Sequence, residues 1–102
     1  MRIMVFFDLP VKTAKERKIY TDFRRALIKD GYYMIQYSVY GRICNGVDSV
    51  EKFVKRLENY TPKEGSVRVL TVTEKQYASI IIVAGKKKNE EKDIRNIQLS
   101  FF

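Results

Sequence analysis

Arg2-Ile3-Met4-Val5-Phe6-Phe7-Asp8 is a short, almost continuous apolar run that halts at Asp8-Leu9-Pro10. Apolar residues on both faces of an extended chain suit a strand in the middle of a sheet, and Pro10, which has no N–H to donate to a ladder, stops it. A central strand needs a neighbour on each side and a covering layer. Working outward, Thr13-Ala14-Lys15-Glu16 has the spacing of a capping box, in which a hydroxyl and a carboxylate satisfy each other's backbone N–H groups. It opens a helix expected to reach Asp30, with Gly31 as its stop. Ile19, Tyr20, Phe23, Ala26 and Leu27 share one face of that helix, and Lys15, Arg17, Lys18, Arg24, Arg25 and Lys29 occupy the rest.

Tyr32 to Ile43 is rich in aromatic and β-branched residues and reads as a strand, with Tyr33, Ile35, Tyr37 and Val39 on one side and Met34, Gln36, Ser38 and Tyr40 on the other. Asn45-Gly46 breaks it. Asp48, with Glu51 three residues later, is placed to cap a second helix in which Val50, Phe53, Val54 and Leu57 follow helical spacing. Thr61 to Gly65 is a loop, Ser66 to Thr73 a further strand, and Ser79 to Ala84 a last one, joined through a tight turn or single helical turn at Thr73 to Tyr77. The expected fold is α+β: a ferredoxin-like βαββαβ sandwich with two helices on one face of a four-stranded antiparallel sheet. Residues 1–85 form this core. Lys86 to Asp93 has the composition of a solvated linker, and Ile97, Leu99, Phe101 and Phe102 form an apolar tail expected to add a strand to a sheet edge, which a second copy would offer.

A length of 102 residues suits one domain, and 45% apolar with 31% charged residues excludes a disordered chain. No apolar run approaches the roughly 20 residues that span a bilayer, and the start is unlike a signal peptide, so the expected compartment is the cytoplasm. The single cysteine, Cys44, allows no internal disulfide and reads as a small buried or loop residue. The absence of histidine removes the commonest general base and metal ligand, so any catalysis rests on carboxylates, Lys, Arg, Tyr or a hard cation. The net charge of +8 points to a polyanionic partner, most simply nucleic acid. Between Lys12 and Lys29 seven basic residues face only two acidic ones, while Val47 to Gly65 is balanced, so the excess sits on the first helix. That helix reads either as a solvated face or as a phosphate-binding one, with Arg17, Lys18, Arg24 and Arg25 as the candidate nucleic-acid contacts.

Asp8 has two readings. It suits a turn in which its side chain accepts a backbone N–H, and it suits a ligand for Mg²⁺ or Mn²⁺, which one or two carboxylates hold together with phosphate and water. A two-fold axis beside the first strand would supply a second Asp8. The tyrosines of the second strand read as sheet packing rather than as base-stacking platforms.

Taken in order, Ile3 to Pro10, then Arg17-Lys18-x-Tyr20-x-x-Phe23-Arg24-Arg25-x-Leu27, then Gly31-Tyr32-x-Met34-x-Gln36-x-Ser38-Val39-Tyr40 resemble the small CRISPR-associated spacer-acquisition proteins, the second of the two universal adaptation families. Gly65 to Tyr77, Gly85 and the Ile97-to-Phe102 tail resemble the branch from systems with a single large effector nuclease. The resemblance spans essentially the whole chain, and it departs at Phe7, where members often carry Tyr. It implies a ferredoxin-like homodimer in which one subunit's C-terminal strand extends the other's sheet. It also implies a catalytic, metal-binding Asp8 facing its mate across the cleft, and metal-dependent endoribonuclease activity or cleavage of double-stranded DNA. In spacer acquisition it implies a dimer that bridges copies of a CRISPR integrase subunit and holds double-stranded DNA by its backbone. Other readings of the same residues are a toxin-like mRNA-cleaving ribonuclease without an integrase, a nucleic-acid-binding module without catalysis, and a small-molecule regulatory domain. A single-stranded RNA module of the same strand order needs aromatics that Ser66 to Thr73 lacks.

Overall fold

The computed structural model describes residues 1–85. Arg2–Asp8 forms β1, and its alternation divides the molecule into two sides: Ile3, Val5 and Phe7 enter the main core, while Arg2, Met4, Phe6 and Asp8 belong to the other face. Val39–Ile43 (β3) and Ser66–Val72 (β4) pair antiparallel with β1 on either side, and Tyr33–Gln36 (β2) lies beyond β3, giving the order β2-β3-β1-β4. With α1 (Ala14–Lys29) after β1 and α2 (Gly46–Tyr60) after β3, this is the expected βαββαβ sandwich of the α+β class. A short helix, α3 (Glu74–Ala78), follows β4.

Three expectations need correction. Tyr32 to Ile43 is not one strand but a hairpin, β2 and β3, and the two together supply what the sandwich requires. Its turn falls at Tyr37-Ser38, where Ser38 takes φ of +63° and a register irregularity between Met34 and Gln36 precedes it. Without glycine or proline, nothing local announces that turn. Ser79 to Ala84 forms no strand in the sheet of the described residues. The helical turn, one of the two readings of Thr73 to Tyr77, is present as α3: Thr73 Oγ1 accepts from the Gln76 N–H at 3.1 Å and its own N–H donates to Gln76 Oε1 at 2.9 Å, and Ile81 and Val83 beyond it are exposed. Asp48 does not cap α2. The helix begins at Gly46 after Asn45, and Asp48 sits in its first turn, where a negative charge suits the positive end of the helix. The apolar tail from Ile97 to Phe102 and the linker lie outside the described residues.

α1 follows its expected signals: Thr13 Oγ1 accepts from Glu16, Glu16 Oε1 accepts from Thr13 and Lys12, and Gly31 leaves the helix at φ of +94°. Phe23 and Leu27 are buried, with Phe23 edge-on to Phe7 at 5.1 Å, whereas Ile19 remains exposed. Leu57 of α2 closes the core, and Val50, Phe53 and Val54 pack on it half-buried. On the opposite face of the sheet, Arg2 is fully buried under α3. Its guanidinium lies 3.9 Å from the Tyr77 ring centroid, its Nε donates to both Glu74 oxygens at 2.9 and 3.1 Å, and Nη1 meets the Tyr33 hydroxyl. α3 therefore covers the Arg2 end of that face. Among the described residues, no helix is long and apolar enough to cross a membrane.

Candidate active site

Asp8 is the last residue of β1, at the strand end opposite Arg2, and is exposed. Its backbone is held on both flanks: it stands opposite Ser66 in the β1–β4 register, and the N–H of Phe7 donates to the Ser38 carbonyl at 3.1 Å. Leu9, buried just after it, anchors the exit of the strand. Gly65 completes this corner. At φ of +87° it approaches so closely that a Cβ would stand 2.7 Å from the Asp8 carbonyl oxygen and 2.8 Å from Leu9 Cδ2, so no other residue fits without moving the strand end.

The Asp8 carboxylate forms no hydrogen bond or ion pair among the described residues. The turn reading, in which that side chain accepts a backbone N–H, is therefore not what the fold does with it. On the same face, two register pairs away, β4 carries the exposed Arg68 opposite Phe6. Sequence reading did not single out Arg68 or Gly65. The alternation of Ser66 to Val72 could have flagged Arg68, whereas Gly65 matters only through a segment remote in sequence. Among the described residues no group of three or more His, Cys, Asp or Glu is gathered for a metal ion.

The four candidate nucleic-acid residues are all exposed on α1, but the structure uses three of them locally. Arg17 Nη1 donates to the carbonyls of Val11 and Lys12 at 3.2 and 2.9 Å, pinning the segment that follows Pro10. Lys18 pairs with Asp22 at 2.7 Å, and Arg24 Nε donates to the Tyr40 hydroxyl at 2.7 Å. Arg25 makes no such bond among the described residues. Cys44 is buried and its thiol is pushed up by burial, which suits an inert packing residue rather than a nucleophile.

A basic ferredoxin-like α+β sandwich with an exposed carboxylate at the end of its central strand is the class of protein defined here. The chain belongs to the family described as CRISPR associated protein Cas2, whose family model matches residues 1–80. It is 54% identical over 102 residues, the full length of both chains, to the CRISPR-associated endoribonuclease Cas2 of Acidovorax ebreus (strain TPSY). It is 49% identical over 96 residues to the protein of that name from Ligilactobacillus salivarius (strain UCC118), covering 94% of this chain and 92% of the relative. A third, from Treponema denticola, is 49% identical over 90 residues, 88% of this chain and 89% of its own. The family expected from the ordered motifs is the family found.

Proposed function

We propose that this chain is an endoribonuclease subunit of CRISPR adaptation that works as a homodimer, with Asp8 of each copy at a shared phosphodiester-cleaving centre. The observation that carries the reading is the Asp8 carboxylate, without a partner among the described residues and exposed at the end of the central strand on a backbone held by Gly65 and Ser38. The donor chemistry fits Mg²⁺ or Mn²⁺. A hard cation keeps several waters and needs only one or two carboxylates plus substrate phosphate, which two copies of Asp8 provide. When bound, such an ion would polarise a phosphoryl oxygen and lower the pKa of water. The protein's own part is to hold the carboxylates rigid and to draw the polyanion in, with Arg68 beside Asp8 and the basic outer face of α1 supplying the attraction.

The second copy has a face to occupy. Met4, Phe6, Ile35 and Val39 line the side of the sheet away from α1 and α2, and Leu70 on that side is exposed beyond the cover of α3. The basic helix supports a further role, holding duplex DNA by its phosphates while the dimer bridges integrase subunits.

The test is Asp8→Asn, which removes charge at nearly constant shape. RNA cleavage should fall to background, as it should for the parent with EDTA. Duplex binding and integrase-dependent spacer joining should persist. A folded, dimeric Asp8→Asn protein that still cleaves at the parental rate would overturn the assignment of the centre.

A further inference from the structure

We infer that Tyr37 is a stacking platform for an unpaired nucleobase, set at the Asp8 end of the sheet so that a single-stranded polynucleotide spans the two. The inference deepens the reading of Asp8 as the cleavage site and rests on it for its consequence, although base binding can be measured without cleavage. Of the seven tyrosines, six are buried or half-buried, and only Tyr37, at the tip of the β2–β3 hairpin, is exposed, at 78%. Sequence reading assigned it to sheet packing, and the turn takes it out of the sheet.

Its ring is not loose. It stacks on Tyr20 of α1 with centroids 6.1 Å apart and planes at 23°, and Tyr20 in turn packs on Phe7 at 5.7 Å. The Tyr20 hydroxyl bonds with Ser38 Oγ at 3.2 Å, and the left-handed Ser38 is tied through its carbonyl to the N–H of Phe7. One face of Tyr37 is thus backed by a column that ends in the core, one residue from Asp8, and the other is presented to solvent. A rigid aromatic with one free face recognises any base, because every base has a π-face and stacking needs no surrounding pocket. The neighbouring charges are of the sign that phosphate requires: Arg17 and Arg24 flank Tyr20 one turn away on either side of it along α1, and Arg24 is oriented by Tyr40. Bases inside a duplex are already stacked, so the platform selects single-stranded or splayed segments.

The protein contains no tryptophan, so Tyr37→Trp introduces a single fluorescent reporter. The full chain carrying it is titrated, in EDTA to prevent cleavage, with a 12-nucleotide single-stranded RNA, the same sequence as DNA, an abasic DNA strand and a blunt duplex. Quenching by the single strands but not by the abasic strand or duplex is expected, and the RNA and DNA arms show whether the sugar matters. Tyr37→Ala should weaken single-strand binding roughly ten-fold and leave duplex binding unchanged, whereas Tyr37→Phe should bind like the parent. No quenching together with parental single-strand affinity in Tyr37→Ala would overturn the inference. The Asp8→Asn background separates the two readings: there the quenching must persist while cleavage is lost. A parent that never cleaves but whose reporter is quenched refutes the cleavage centre and leaves the platform standing.

Discussion

Tyr32 and Asp30 are buried side by side at the end of α1 and are treated differently by their surroundings. Asp30 is answered by Arg56 and by the Tyr60 hydroxyl, which donates to it at 3.1 Å, while the Tyr32 hydroxyl has no hydrogen-bond partner among the described residues. Burial, and then the Asp30 carboxylate, push the Tyr32 phenol up to about 12, and the same causes raise Tyr60. A raised phenol keeps its proton in the folded protein after the unfolded chain has lost it. The stabilisation is therefore complete below the unfolded value of 10 and is lost as pH rises toward 12. Tyr32→Phe should leave stability at pH 7 within about 0.5 kcal/mol of the parent, because no bond is broken, and should flatten the fall between pH 10 and 12 in urea denaturation. Asp8 was legible as a candidate because a lone carboxylate ends an apolar strand. That its side chain finds no partner among the described residues was not, since this depends on which remote segments the fold brings beside it.

α1 shows the same division at the scale of the element. Its start, stop and buried stripe follow from residues within one or two turns of each other, and the structure reproduces them at Thr13, Gly31, Phe23 and Leu27. Its basic face was equally visible, but the uses of individual cations were not, because Arg24 is engaged by Tyr40 from another element. Changing Arg17, Arg24 and Arg25 together to Ala should weaken duplex binding alike across unrelated sequences. The slope of log affinity against log salt should shrink by about 0.9 per lost phosphate contact. Arg25→Ala alone should lower affinity without altering thermal stability, whereas Arg17→Ala should also loosen the Val11-Lys12 segment, seen as faster amide exchange there. An unchanged salt slope in the triple variant would make α1 a solvated face.

For the whole molecule, the decisive feature is a sheet face that the described residues leave partly bare. α3 shields Arg2, but Leu70 stays 53% exposed, and Ile81 and Val83 protrude after α3. A single chain gains nothing from this arrangement, and a second copy seated on the face would bury it. Light scattering should therefore report a dimer, and Leu70→Lys should dissociate it at micromolar concentration while the half-exposed position lets the monomer fold. Deleting Ile97 to Phe102 should likewise dissociate or aggregate the protein. A Leu70→Lys protein that remains a well-behaved dimer would move the interface elsewhere.

The sequence by itself determined the central strand, both long helices with the capping box of the first, the concentration of charge on α1, and the exclusion of histidine chemistry. Each of these rests on interactions among residues close in the chain, or on composition alone. Only the tertiary structure decided that Tyr32 to Ile43 folds back on itself, that Ser79 to Ala84 adds no strand to the sheet of the described residues, and that Tyr37, Gly65 and Asp8 lie at one end of that sheet. β-branched residues favour an extended backbone but do not choose a partner strand. That choice depends on contacts between remote segments, whose closing entropy is offset only when the whole core forms.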